Sequence, residues 1–267
     1  MVAAVAMRVR SVVLHTATMT LALIPWFKLE PWHLPLPLLD RFPIQPFGVL
    51  AATAILLGIR FAGWRAERTG VPRKLVGDFL LHVVVVGLAA CMVFNLVVYE
   101  PAKIPQMARA IGSWFGLAEA TAFPYPGLSS FGGFAGGTLA AFWFARRRQV
   151  PILVLSGIFC FTIPFAWIFA RMGCFVVHDH PGIETDFFLA VDNYYGQGVA
   201  RHDLGLYEVL WSLFMTPLVL WLDRTPRPLG FFTALVPIAY ASVRFFLDYL
   251  REIPVHGGDI RSGSPAR

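Results

Sequence analysis

Apolar stretches, each close to the roughly 20 residues that carry a helix across a hydrocarbon core of about 30 Å, recur along the chain at 47–64, 79–99, 127–144, 150–170, 204–222 and 229–250. A soluble domain has no use for such repetition. With 57% of residues hydrophobic and 14% charged, against about 25% charged in ordinary globular domains, the chain reads as an all-α polytopic membrane protein. A further apolar run at 11–27 follows the basic Arg8 and Arg10 like an uncleaved signal anchor, spanning or lying at the interface, and brings the expected count to about seven membrane helices. Between the spans, 28–46 is rich in proline and aromatics and suits an extended arm at the membrane surface. In 101–125, Ile104, Met107, Ile111 and Trp114 recur at helical spacing, which predicts an amphipathic interfacial helix. The whole of 1–267 is expected to form one membrane-embedded unit: an N-terminal helix and arm (1–46), a helical core (47–250) and a flexible tail (251–267).

The formal net charge of +6 does not point to nucleic acid, because the bases fall in short clusters between spans. Arg8 and Arg10, then Arg60, Arg65, Arg68, Arg73 and Lys74, then Arg146 to Arg148, then Arg224 and Arg227 occupy alternate connections. All can face the cytoplasm together. The sparser connections, including 181–203, then open on the outer face. Of the three cysteines, Cys91 and Cys160 lie within apolar runs, which excludes a disulfide framework.

Polar residues at the edge of such a layer carry free energy that something must use or offset. The foremost group is R-M-G-C-F-V-V-H-D-H-P-G at 171–182, with Arg171, His178, Asp179 and His180 where a long span stops. In the last span Tyr240, Arg244 and Asp248 stand at i, i+4 and i+8 on one stripe. They either line a wet cavity, where a guanidinium matches a phosphate bidentately, or hold a self-neutralising pair at the surface. In R-H-D-L-G-L-Y-E, 201–208, Asp203 can cap the helix that follows, whereas Glu208 calls for a buried partner such as Arg171 or Arg244. The lead-in Y-P-G-L-S-S-F-G-G-F-A-G-G, 125–137, places Gly132, Gly133, Gly136 and Gly137 for close approach of a helix or a headgroup. His178, Asp179, His180, His202 and Asp203 could ligate a metal. Yet consecutive residues of an extended segment point different ways and no H-x-x-x-H pair occurs, so no metal and no cofactor are expected, and acid–base work is favoured for the histidines. His82, alone in a span, is expected to be a packing residue.

Together, S-F-G-G (130–133), R-M-G-C-F ending in Gly182, R-H followed by L-Y-E, and R-F-F-L-D-Y-L-R-E (244–252) resemble the bacterial prolipoprotein diacylglyceryl transferase family over about 44–254. The resemblance implies a helical membrane body of the bacterial inner membrane with an exoplasmic arm and a small head. It implies transfer of the diacylglyceryl group of phosphatidylglycerol to a prolipoprotein cysteine, or to another exoplasmic nucleophile, with release of glycerol phosphate. Membrane lipids are the other expected partners. His178, Asp179, His180, Tyr240 and Arg244 are the implied catalytic set; Arg171, Gly182, Gly132, Gly133, Glu208 and Asp248 are the implied substrate-binding set. Phe47 and Phe131 stand where the family carries polar rings, Cys174 where its signature has asparagine, and Asp179 and Asp248 where it has glutamates. Those departures leave open a non-catalytic, lipid-binding relative, with His178 and His180 as replacements for a lost base otherwise.

Overall fold

The structure is a computed structural model and describes residues 24–32, 44–115, 117 and 127–252. Its frame is helical: α1 (Pro46–Arg68), α2 (Arg73–Phe94), α3 (Ile104–Trp114), α4 (Ser130–Arg148), α5 (Ile152–Val177), α6 (Leu204–Leu222) and α7 (Phe231–Tyr249). Alpha2 runs on through a π-helical turn at Asn95–Tyr99. Five of these helices are long and apolar enough to cross a membrane: α1, α2 with its extension, α5, α6 and α7. This is fewer than the expected number of about seven, for two reasons. Alpha4 is 19 residues long but is diluted by glycine, alanine and a terminal Arg146-Arg147-Arg148, and most of the 11–27 run lies outside the described residues. The described end of that run is not helical. Ile24–Pro25 forms a short strand, β1, and Trp26 and Phe27 follow it in extended chain.

Small residues decide how the helices meet. Alpha2 and α4 form a close seam because Gly132, Gly133 and Gly136 face α2: a Cβ on Gly132 would stand 2.6 Å from the Ala90 carbonyl oxygen, one on Gly133 2.5 Å from Cys91 Sγ, and one on Gly136 2.2 Å from Ala90 Cβ. Alpha1 packs along α5, where a side chain at Gly58 would come 3.2 Å from Ala166 Cβ and one at Gly173 3.1 Å from the Phe47 ring. One apolar core joins Ala62, Phe79, Leu155 and Ile158 of α1, α2 and α5. A second joins Phe161, Met215, Val219 and Phe232 of α5, α6 and α7. Burying such faces is what fixes the helices relative to one another.

The two ends of the bundle differ. At one end the arginine-rich connections gather, where Arg65 pairs with Asp223 and Arg148 lies 4.0 Å from Asp78. At the other, a four-stranded sheet in the order β1-β3-β4-β2 caps the bundle, with β2 at Pro181–Glu184, β3 at Val191–Asp192 and β4 at Arg201–Asp203. The sheet extends into the tail: Gly182 bridges Arg251, and Arg201 Nη1 donates to Glu252 at 2.6 Å. Arg251 and Glu252 are therefore tied down, and the rest of the expected flexible tail lies outside the described residues. Of the expected arm, Trp32 bridges Ile44 and the Leu29 N–H donates to the Val176 carbonyl at 3.3 Å; residues 33–43 lie outside the described residues. Alpha3 lies within the stretch expected to be helical, and its Ile104 and Ile111 are exposed.

Candidate functional site

Three helix ends meet beneath the sheet. Alpha5 contributes Trp167, Arg171 and Cys174 from its last turns, one stripe at three- and four-residue spacing. Alpha6 starts at the same level because Asp203 caps it, Oδ1 accepting from the Leu206 N–H at 3.1 Å, which puts Glu208 on its second turn. Alpha7 arrives from the opposite direction and presents Tyr240, Arg244 and Asp248.

These side chains converge on Glu208, whose side chain is 1% exposed. Arg171 Nε lies 2.5 Å from Oε2 and Arg244 Nη1 lies 2.8 Å from Oε1. The first contact is an ion pair in which Nε lacks hydrogen-bond alignment. Tyr240 Oη and Trp167 Nε1 donate to the same Oε2 at 3.0 and 3.3 Å, and Arg171 Nη2 donates to Tyr240 Oη at 3.1 Å. The Arg171 guanidinium also sits 4.9 Å from the Trp167 ring centre. Asp248 takes the far side of Arg244, Oδ1 to Nη2 at 3.0 Å, with its own side chain 54% exposed. Two guanidiniums thus share one sealed carboxylate, and each has more N–H donors than these partners use. Such a pair can receive a doubly contacted anion, a phosphodiester above all.

The end of α5 adds a second layer. His178 adopts a left-handed conformation, φ 49°, and reverses the chain. Asp179 and His180 fold back, the Asp179 N–H reaching the Cys174 carbonyl at 3.4 Å and Asp179 Oδ1 contacting His180 Nδ1. Both side chains stay partly exposed, whereas His178 is wholly buried. Its Nδ1 lies 2.6 Å from Asp203 Oδ2, and its ring is enclosed by Trp26, Phe27, Phe175 and Tyr194. Burial first, and then the Asp203 carboxylate, push the Tyr194 hydroxyl well above the ordinary phenol range, so it remains a donor to Asp203 at 3.1 Å. His178 therefore anchors the reversal and has no open side, contrary to its expected place in the reacting set.

The remaining expected residues sit elsewhere. Gly132 and Gly133 lie in the α2–α4 seam, where close helix contact explains them. Gly182 has no room for a side chain: a Cβ would stand 2.7 Å from both His202 Cβ and the Leu250 carbonyl oxygen, where β2 squeezes between β4 and the end of α7. Trp167 was not foreseen, although its position four residues before Arg171 was a usable signal.

A membrane-embedded helical body with a polar cluster at one end, two arginines held on a buried acid, fits the class of polytopic membrane enzymes. A sequence profile of the family described as prolipoprotein diacylglyceryl transferase matches residues 36–264. The chain belongs to that family and is a transferase. It is 32% identical over 221 residues to the phosphatidylglycerol–prolipoprotein diacylglyceryl transferase of Polynucleobacter asymbioticus, covering 79% of this chain and 80% of that one. It is 29% identical over 255 residues to the enzyme of the same name from Rhizobium leguminosarum, covering 89% and 84%, and 27% identical over 231 residues to that of Synechococcus elongatus, covering 82% and 76%.

Proposed function

We propose that this protein moves the diacylglyceryl group of phosphatidylglycerol onto the thiol of a prolipoprotein cysteine at the outer face of a bacterial inner membrane. The observation that carries the proposal is the convergence of Arg171 and Arg244 on Glu208. Orientation follows from the arginine-rich connections at the other end of the bundle, which belong in the cytoplasm.

In this mechanism Arg171 and Arg244 grip the phosphodiester, and Glu208, Tyr240 and Trp167 hold their planes in register. The acceptor sulfur attacks the diacylglyceryl carbon bonded to the phosphate oxygen. A C–S bond forms, the C–O bond breaks, and its electron pair leaves on glycerol phosphate, whose growing charge the two guanidiniums stabilise. The thiol proton passes to His180, oriented by Asp179, and then to water. His178 is a positioning residue that fixes where Asp179 and His180 lie, and Asp248 steadies Arg244. Gly132, Gly133 and Gly182 serve by permitting close packing.

The test supplies purified protein with phosphatidylglycerol labelled in its acyl chains and a peptide bearing a lipobox cysteine. The expected outcome is a labelled thioether peptide together with glycerol phosphate. If neither product forms, transfer to a prolipoprotein thiol is ruled out.

A further inference from the structure

Sequence alone grouped His178, Asp179, His180, His202 and Asp203 as possible ligands, but the fold breaks up that set. His178 and Asp203 are sealed against each other, and His202 Nδ1 lies 2.6 Å from Tyr207 Oη. Instead, the reversal at His178 lays Asp179 and His180 over Cys174. One donor atom from each of Cys174, Asp179 and His180 lies within 4.8 Å of the others. Donors set tetrahedrally round a single zinc ion at bond lengths of about 2.0–2.3 Å stand about 3.3–3.8 Å apart, so side-chain adjustments of about 1 Å bring the three onto one ion.

We propose that Cys174, Asp179 and His180 form a binding site for a thiophilic divalent cation of the zinc class, and that its occupancy inhibits transfer. A thiolate, an imidazole and a carboxylate are the donor set such ions prefer over magnesium or calcium. Arg171 Nη1 reaches Cys174 Sγ at 3.8 Å, so a sulfur bound to the ion keeps an N–H partner. The positive charge of that arginine does not repel the ion unopposed, because Glu208 lies 2.5 Å from Arg171 Nε. Cys174 also stands in the last turn of α5, where the helix's C-terminal carbonyls add negative potential. The other two cysteines, Cys91 in the α2–α4 seam and Cys160 in the α5–α6–α7 core, fall in no such group among the described residues.

Inhibition rests on the role proposed for His180, since a metal-bound imidazole accepts no proton; binding does not. The experiment therefore reads the two apart. Cobalt(II) is titrated into the purified full-length protein in detergent, and zinc is then added. Expected are a sulfur-to-cobalt charge-transfer band saturating near one equivalent, the visible bands of a four-coordinate ion, and bleaching of both by zinc. The charge-transfer band is lost in Cys174→Ser and Cys174→Asn, persists in Cys91→Ser and Cys160→Ser, and its half-saturation rises roughly tenfold or more in His180→Gln. Transfer by the unaltered protein falls with zinc over the range that displaces cobalt and returns with a chelator. Absence of the band in the unaltered protein, or its survival without Cys174, overturns the site. A saturating band with unchanged transfer overturns the inhibition alone, and circular dichroism of each variant excludes loss of fold as the cause of a missing band.

Discussion

The bundle holds arginines at both of its ends, and they are kept in opposite ways. Arg65, 7% exposed, pairs with a single carboxylate, Asp223, and its guanidinium is covered by the rings of Phe161 at 3.8 Å and Phe232 at 4.7 Å. One charge meets one countercharge under an aromatic lid, so the charges balance, while Arg65 Nε and Nη1 find no aligned hydrogen-bond partner. Arg171 and Arg244 share Glu208, with the half-exposed Asp248 the one further acid paired with either among the described residues. Their charge is under-compensated inside the seal, and their side chains stay 17% and 23% exposed. The difference teaches that burial of an arginine in a membrane body does not by itself mark a site. What marks it is the balance of charge, since two guanidiniums that share one fixed carboxylate can still take an anion.

The most severe way to test this contrast is to remove each acid. Glu208→Gln leaves two guanidiniums without their common countercharge, and breaking a buried pair by deleting one partner costs about 3–5 kcal/mol. We expect a large drop in the thermal midpoint and loss of transfer. Asp223→Asn should cost less, because the Asp223 side chain is 18% exposed and both rings remain over Arg65. Thermal melts of the two variants decide it: a larger loss in Asp223→Asn would reverse the comparison.

Next in size are the arginines themselves. Lysine keeps the charge but lacks the planar fork, so Arg171→Lys and Arg244→Lys should each lower kcat/KM for transfer by about 10²–10³, the scale of losing an oriented donor to a leaving oxyanion. Arg65→Lys should reduce stability while leaving kcat/KM within about twofold, since it lies at the far end of the bundle. Equal losses of transfer at both ends would mean that arginine geometry there is a general folding need.

The same contrast recurs on a smaller scale between His178 and His180, and it shows how much was legible beforehand. The stripe of Tyr240, Arg244 and Asp248, the cap at Asp203 and the need of Glu208 for a cationic partner all follow from helical spacing and from the cost of a lone buried charge. Nothing in the spacing tells His178 from His180, because their difference is made by a left-handed residue and by Trp26 arriving from far along the chain. Strands of two to four residues are likewise too short to show a period, so the sheet was invisible. The glycines of α4 were legible only as close-contact positions, and which surface they contact is set by α2. His180→Ala should slow transfer by about 10²-fold or more with an unaltered melt. His178→Ala should lower stability by about 1–3 kcal/mol, since it removes one buried partner of the Asp203 carboxylate and leaves a void among the rings that enclose it. Should His178→Ala abolish turnover with full stability, the sealed ring would have to open during the reaction.

The smallest effect is a pH dependence confined to the head. His202 lies against Gly182 and Tyr207, with the Phe187 ring 6.0 Å away and Asp203 next in sequence. Burial holds its imidazole below the ordinary 6.5. Between its lowered folded value and the unfolded one the unfolded chain binds more protons, so stability is flat above that window, falls as pH drops through it, and levels off below the folded value. Partial exposure keeps the effect small. Melting midpoints taken from roughly pH 7 down to about pH 5 should decline less steeply in His202→Gln than in the unaltered protein. Equal slopes would show that burial of His202 does not carry the acid sensitivity.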